Sequence, residues 1–241
     1  MKEQILGVNV SNQSQQELMR LIDADIKENR KSRIVAINPE KVMMATKDDS
    51  LKTLLNGSTY QIPDGVGIMI ASRFRNGQVK ERVTGIGMME ALLELANENS
   101  FRIFMYGAKP ETIEQAAGMI QQRYPNLIIS GKIDGYETDQ NKILRLINEA
   151  NPQILFVALG SPKQELFIQE NMDRLNVNIF QGVGGSFDVF SGNVKRAPSI
   201  FLNTGTEWLY RLVSQPSRII RQMALPKFLI MAIREKKVGA Q

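Results

Sequence analysis

The sequence predicts an α/β fold: a mostly parallel sheet wrapped by helices, followed by a C-terminal helical appendage. Three observations carry this reading. Short, continuous apolar runs recur along the chain, as in 154–159 and 177–180, and such runs read as strands buried on both faces of a parallel sheet. They alternate with amphipathic stretches of helical spacing, the pattern of a sheet covered by helices. After Pro198 the alternation stops and a basic, proline-broken segment begins. This divides the chain into an α/β core at 1–197 and an appendage at 198–241.

Residues 5–10 read as a strand, with Ser11 capping a helix that puts Leu18, Leu21, Ile22 and Ile26 on one face. Residues 33–37 form the next strand. Asn38-Pro39-Glu40 then starts a helix, with proline in its first turn, and helical patterning continues through Val42-Met43-Met44 and 51–55. The strand at 59–62 runs into Pro63-Asp64-Gly65-Val66-Gly67, and 68–74 is helical. Gly85 and Gly87 precede a helix at 88–97. The strand at 101–106 ends at Gly107-Ala108, and Pro110-Glu111 opens a further helix. A strand at 127–130, helix 140–150, strand 154–159, helix 162–175 and strand 177–180 complete a Rossmann-like body.

Two strand ends break into small residues: Gly160-Ser161-Pro162-Lys163-Gln164-Glu165, and Gly182-Val183-Gly184-Gly185. In such sheets the ligand crevice lies beyond the carboxyl ends of the strands. Glycines there either make tight strand-to-helix turns or let backbone amides close on an anion such as a diphosphate. Two such loops in tandem favour a phosphate-bearing ligand.

The 241 residues contain no cysteine and no histidine. This excludes disulfides, thiolate metal sites, cysteine nucleophiles and the Ser-His-Asp triad. Acid–base chemistry falls to Asp, Glu, Lys or Tyr. The N-terminus has no signal-peptide pattern, and no apolar run reaches the roughly 20 residues needed to span a bilayer. A cytoplasmic protein, at most lying on a membrane, is expected.

The net charge of +5 resides in the tail. From Ser199 onward there are seven basic and two acidic residues, whereas the first 198 residues hold 23 of each. Trp208, Leu209, Leu212, Val213, Ile219, Ile220, Met223, Leu225, Phe228, Leu229, Ile230 and Ile233 are interspersed with those charges, with Pro216 and Pro226 as breakers. A basic amphipathic tail carrying Trp and Phe reads as an interfacial anchor on an anionic membrane surface. The alternative is a helical hairpin packed on its own domain or on another subunit. Nucleic acid is not expected, because no recognisable nucleic-acid-binding fold accompanies the tail.

Asp64 stands in a glycine-bracketed turn at a strand's carboxyl end. Without histidine it is the natural candidate base, against the plainer role of an Asx-turn residue. Asp23-Ala24-Asp25 matches a metal-binding Asp-x-Asp pattern but lies inside a helix, where residues two apart do not face each other, so it reads as structural. The Gly182–Gly185 run follows the last strand rather than the first, which argues against a dehydrogenase. Arg82-Val83-Thr84-Gly85 either contacts a diphosphate or ribose or simply caps the next helix.

Asn38-Pro39-Glu40, Pro63-Asp64-Gly65-Val66-Gly67, Arg82-Val83-Thr84-Gly85, Phe104-Met105-Tyr106-Gly107-Ala108, the loop from Ala158 to Glu165 and the glycine-rich stretch 182–192 occur in that order. Together they resemble the WecG/TagA/CpsF family of bacterial glycosyltransferases. The tail, with Glu207-Trp208-Leu209-Tyr210-Arg211 and Ala224-Leu225-Pro226-Lys227-Phe228, is similar to the TagA/TarA branch of wall teichoic acid synthesis. One departure lies in the second strand, where relatives often carry a threonine just before the asparagine and this chain has Ala36-Ile37.

The resemblance implies an inverting, metal-independent transferase without a cofactor. It would move N-acetylmannosamine from its UDP donor to the 4-hydroxyl of N-acetylglucosamine on undecaprenyl diphosphate. Sister transferases would use UDP-N-acetylmannosaminuronic acid or UDP-glucose. A non-catalytic nucleotide- or lipid-binding module is the alternative of a different class. On the transferase reading Asp64 is the base, and Asn38, Arg82, Thr84, Gly107, Gly160, Gln164, Gly184 and Gly185 bind substrate, with Asn38 and Gln164 orienting the sugars. Arg211, Arg218 and Arg221 would meet the diphosphates of donor or lipid acceptor, since arginine matches phosphate oxygens bidentately. The enzyme would lie peripherally on the inner face of the plasma membrane, and its apolar tail could instead hold a homo-oligomer together in solution.

Overall fold

The computed structural model describes residues 2–194 and 224–238. The chain opens with an antiparallel ribbon, β1 (Lys2–Ile5) and β2 (Val8–Ser11), where the sequence reading has one strand. Leu6 and Gly7 both take positive φ, 51° and 78°, which is the two-residue geometry that turns a strand back on itself. Helix α1 (Gln15–Lys27) is capped by Ser14, not Ser11. Ser14 Oγ accepts from the Glu17 amide at 3.1 Å, and the Glu17 carboxylate accepts from the Ser14 amide at 2.7 Å, a reciprocal capping box. Leu18, Ile22 and Ile26 are buried, but Leu21 is 42% exposed.

Six strands form the main sheet: β3 (Ser32–Ile37), β4 (Tyr60–Pro63), β5 (Arg102–Gly107), β6 (Ile128–Ile133), β7 (Ile154–Ala158) and β8 (Ile179–Gly182). Their order is β4-β3-β8-β7-β5-β6, and every pairing is parallel. Helices α2 (Pro39–Ala45) and α3 (Asp49–Asn56) follow β3, while α4 (Val66–Phe74) and α5 (Gly85–Asn99) follow β4. Then α6 (Pro110–Arg123) follows β5 and α7 (Gln140–Ala150) follows β6. Finally α8 (Lys163–Asn171), extended by a 3-10 turn at Met172–Arg174, follows β7, and α9 (Ser186–Phe190) follows β8.

Alternate strand residues feed opposite layers, as the period of two requires. Ile103, Met105, Ile154 and Phe156 pack with α1, α5, α6 and α9. Phe104, Tyr106, Leu155 and Val157 pack with α7 and α8. Val35 and Ile37 pack with α2, α3, α4 and the ribbon. Phe104, Phe156 and Phe180 are each no more than 2% exposed, so burial of each ring contributes about 1.5–3 kcal/mol. This explains why the strands read as unbroken apolar runs.

Helix α10 (Ala224–Val238) docks on α2 and α4. Phe228 and Ala232 are fully buried, and Leu225, Leu229 and Met231 pack against the same cluster. Leu225 and Phe228 therefore face the body, not a membrane, in line with the alternative of a helix packed on its own domain. Pro226 lies in the first turn and does not break the helix, because an amide there has no intrahelical acceptor to lose. Glu235 ties the helix down, accepting from Arg75 Nη1 at 2.6 Å and from the Leu6 amide at 3.0 Å.

Candidate active site

All six parallel strands end at one edge, and the chain reverses direction there: β5 leads outward to β6, while β7 leads back to β8. A crevice at such a switch point is where α/β sheets bind ligands. Asp64 follows β4 at this edge and is half-buried. Its amide donates to the Ile37 carbonyl at 2.8 Å, extending the β3–β4 ladder one residue past the strands. Gly65 then takes φ 93°, a conformation that L side chains rarely adopt.

The Arg82-Val83-Thr84 segment straps across this turn. The Val83 amide donates to the Pro63 carbonyl at 3.0 Å, and the Gly85 amide donates to Asp64 Oδ2 at 3.3 Å. Gln181 Nε2 holds the same strap from β8 through the Gly85 carbonyl at 2.8 Å. The Asp64 carboxylate thus sits at the N-terminus of α5, the end of a helix that favours negative charge. Thr84 caps α5 through the Gly87 amide at 3.0 Å, and Arg82 is half-buried one residue before Val83. Asn38 caps α2 with its Oδ1, accepting from the Lys41 amide at 2.9 Å. Its side-chain oxygen is thereby committed to the fold.

The glycines divide by role. Gly107, at φ 113°, lies so close to β7 that a Cβ would stand 2.5 Å from the Ala158 carbonyl oxygen, and the Ala108 amide donates to that oxygen at 3.0 Å. Gly107 therefore closes the sheet at the switch point. Gly160 and Gly184 take φ 75° and 53° with open space beside them, as backbone that meets a ligand would need. Gly185, exposed, begins α9. Gln164 is only 3% exposed and lies between the two loops. Its Oε1 accepts from the Gly184 amide and its Nε2 donates to Glu165 Oε1, both at 3.0 Å. The structure thus places Gln164 as a strut from one glycine loop to the other.

Helices α4, α6 and α8 also begin at this edge, and among the described residues none has a side-chain cap. Of the other helices that begin at this edge, α2, α5 and α7 are capped by Asn38, Thr84 and Asp139, while the short α9 has no side-chain cap among the described residues. Uncapped first-turn amides and the positive ends of three helices suit an anion such as a diphosphate.

Sequence reasoning missed the buried ion pair between Lys41 Nζ and Glu165 Oε1, 2.7 Å apart. The only signal was a pair of charges in the first turns of two helices that start at the crevice. Nearby, burial holds the Arg33 guanidinium below its usual range, opposed by the charge of Glu165. Tyr106 is pushed upward by burial, then by Glu137 and Asp134.

The two carboxylates of Asp23-Ala24-Asp25 turn to different partners, as read from the sequence. Asp23 pairs with Lys27 at 2.6 Å. Asp25, at the opposite end of the sheet from the crevice, accepts from Ser32 Oγ, Tyr60 OH and Arg30 Nε at 2.5, 2.6 and 2.8 Å. Arg211, Arg218 and Arg221 lie outside the described residues. Helix α10 does reach the site: Leu225 packs against Gly67 of the Asp64 turn's own helix, whose other neighbour is Pro39, next to Asn38.

The sequence profile described as "Glycosyl transferase WecG/TagA/CpsF family" matches residues 3–241. The N-acetylglucosaminyldiphosphoundecaprenol N-acetyl-beta-D-mannosaminyltransferase of Bacillus subtilis (strain 168) is 41% identical over 204 residues, covering 85% of this chain and 80% of that protein. A protein of the same name from Bacillus spizizenii (strain ATCC 23059 / NRRL B-14472 / W23) is 34% identical over 214 residues, covering 89% and 83% respectively.

Proposed function

The chain belongs to the WecG/TagA/CpsF family of glycosyl transferases, and from that premise we propose that it transfers N-acetylmannosamine from UDP-N-acetylmannosamine to N-acetylglucosaminyl-diphosphoundecaprenol, forming the linkage unit of wall teichoic acid. The observation that carries this reading is that one sheet edge holds both a carboxylate and helix starts that have no side-chain cap among the described residues. One group can take a proton there while the others hold a leaving diphosphate.

The step is a single displacement that inverts the anomeric centre. Asp64 takes the proton of the acceptor 4-hydroxyl as that oxygen bonds to the anomeric carbon and the bond from that carbon to the UDP oxygen breaks. General-base assistance of this kind contributes about 10²–10⁴ in rate. The charge growing on UDP is met by first-turn amides, the Gly160 and Gly184 loops and Arg82, which need no reorganisation during the reaction. Asn38 orients a sugar through its amide nitrogen, its side-chain oxygen being held by the Lys41 amide, and Gln164 acts by holding the Gly184 loop.

The segment preceding α10 carries Arg211, Arg218 and Arg221, which we assign to substrate diphosphates and to an anionic membrane surface. Among the described residues no helix is long and apolar enough to cross a membrane, which suits a peripheral enzyme on the inner leaflet. In solution the same segment can instead bury its apolar residues between copies of the chain.

The test is a panel of UDP-sugars with a short-chain polyprenyl-diphosphate-N-acetylglucosamine acceptor, with and without EDTA. UDP release should require both UDP-N-acetylmannosamine and acceptor, and should survive EDTA. Preference for UDP-glucose or UDP-N-acetylmannosaminuronic acid would reassign the donor, and no acceptor-dependent release would remove the transferase reading.

A further inference from the structure

Beneath the crevice a buried polar relay joins the loops that follow β3, β7 and β8. Lys41 in the first turn of α2 is 7% exposed, and Glu165 in the first turn of α8 is 4% exposed. Glu165 Oε1 accepts both from Lys41 Nζ at 2.7 Å and from Gln164 Nε2 at 3.0 Å. Gln164 Oε1 in turn accepts from the Gly184 amide at 3.0 Å. The other carboxylate oxygen, Glu165 Oε2, is buried with no hydrogen-bond partner among the described residues.

Stability is a poor reason for this pair. Desolvating two charges costs several kcal/mol per ion, and a well-packed apolar pair of similar volume commonly does as well or better. Lys41 also stands near the positive end of α2, where a cation is disfavoured. Geometry is a better reason. The Gln164 amide can be turned either way, and its orientation decides whether an acceptor or a donor faces Gly184. Glu165, an acceptor only, takes the NH₂ group and leaves the carbonyl for Gly184. Lys41, a donor only, keeps Glu165 in that role. Lys41 also follows Asn38 by three residues, so the relay ties the asparagine's helix to the glycine loop.

We propose that Lys41 and Glu165 are positioning residues for the transfer: they fix the Gln164 amide, and through it the Gly184 loop, in register with the Asn38 end of β3. This rests on the transferase reading above. Neither residue touches substrate. Their loss should lower kcat by misplacing the loop, and a displacement of about 1 Å can cost about 10²-fold.

The decisive variant is the apolar replacement Lys41→Met with Glu165→Leu, which removes both charges and leaves no buried ion. It should melt within a few degrees of wild type, yet lose about 10²-fold in kcat. Amide exchange across Gly182–Gly185, measured without substrate, should quicken. A folded double variant with wild-type kcat and wild-type exchange would overturn the proposal and make the pair merely structural. If that variant does not fold, Glu165→Gln, measured below its own melting temperature, decides by the same two readouts. Wild-type protein that failed to turn over would count against the transferase reading instead, while the exchange measurement would still test the pair.

Discussion

Asp64→Asn separates chemistry from architecture at the base. Asparagine is isosteric, and its Oδ1 can still accept from the Gly85 amide, a contact of 3.3 Å. The turn is held by three further bonds that bypass the carboxylate: Asp64 amide to Ile37 carbonyl at 2.8 Å, Val83 amide to Pro63 carbonyl at 3.0 Å, and Gln181 Nε2 to Gly85 carbonyl at 2.8 Å. Weakening that contact costs about 1 kcal/mol of stability. Removing the proton acceptor should cost about 10²–10⁴ in kcat, or about 3–5 kcal/mol at 1.36 kcal/mol per decade. The two effects are thus well separated in size. Acceptor-dependent UDP release gives kcat, calorimetry gives UDP affinity, and urea unfolding gives stability. Near-normal turnover with intact UDP binding would refute Asp64 as the base. Lost UDP binding alongside lost turnover would refute the claim that the carboxylate acts on the acceptor and not on the donor.

Gly67→Ala puts a methyl 2.5 Å from Leu225 Cδ1 and 2.6 Å from Pro39 Cγ. The Leu225 side chain can turn aside, but the proline ring cannot yield, so α4 must move off the start of α2. Overpacking of about 1–3 kcal/mol, less about 1 kcal/mol of helical gain from alanine, leaves a net loss of up to about 2 kcal/mol in urea unfolding; a midpoint raised by the full helical gain would mean that Pro39 and Leu225 do not crowd this position. Asp25→Ala should cost about 2–4 kcal/mol, because it leaves the buried Ser32 and Tyr60 hydroxyls without their acceptor while half-exposed Arg30 keeps Glu28 and solvent, whereas Asp23→Ala should stay within about 0.5 kcal/mol. In the fold Tyr60 is held protonated above its usual range by burial first and Asp25 second. The unfolded phenol ionises near about pH 10, so this contribution is complete below that pH and should be lost as pH rises beyond it, as read by unfolding from pH 8 to 11. Replacing Arg211, Arg218 and Arg221 by Gln in the full chain should weaken binding to anionic vesicles by about 10²-fold, at about 1 kcal/mol per charge. Unchanged co-sedimentation would remove the anchor. Truncation after Ala197 is the weaker test, since it also strips Phe228 and Ala232 from the core.

The legible parts of this fold were those written in short-range pattern. Helix α7 (Gln140–Ala150) has the bounds its apolar spacing predicts, and every parallel strand lies within two residues of the predicted one except β6, which runs three residues past its expected end. Local signals were also misread. Ser14-x-x-Glu17 is a visible capping box that Ser11 obscured, and Leu6-Gly7 reads as strand interior only if the freedom of Gly7 is ignored. Beyond these, the losses are long-range. That Gln164 faces Gly184 rather than solvent depends on how β7 and β8 pair. That Lys41 meets Glu165 depends on a contact 124 residues apart. No period or cap encodes either. Pro226 looked like a breaker because its position within its helix could not be read without the helix start.

The proposed base is a carboxylate, whose ordinary pKa lies far below neutrality, so on that reading placement has to supply what intrinsic basicity does not. That requirement explains the investment in backbone around Asp64: a ladder bond from β3, a strap from α5 and a second brace from β8 all converge on one turn. The same logic extends to the glycine loops. Gly160 and Gly184 provide close backbone approach, but positive-φ glycines alone would leave the loops loose. The Gln164 strut removes that looseness without adding a side chain to the crevice. Helix α10 completes the frame from the other side, because Leu225 seats on Gly67 beside Pro39, and those helices carry the Asp64 turn and Asn38. Whatever the arginine segment ahead of α10 binds, its pull would reach the Asp64 turn and Asn38 through the seat of α10 on α2 and α4, which gives the proposed tail function a mechanical path into the site.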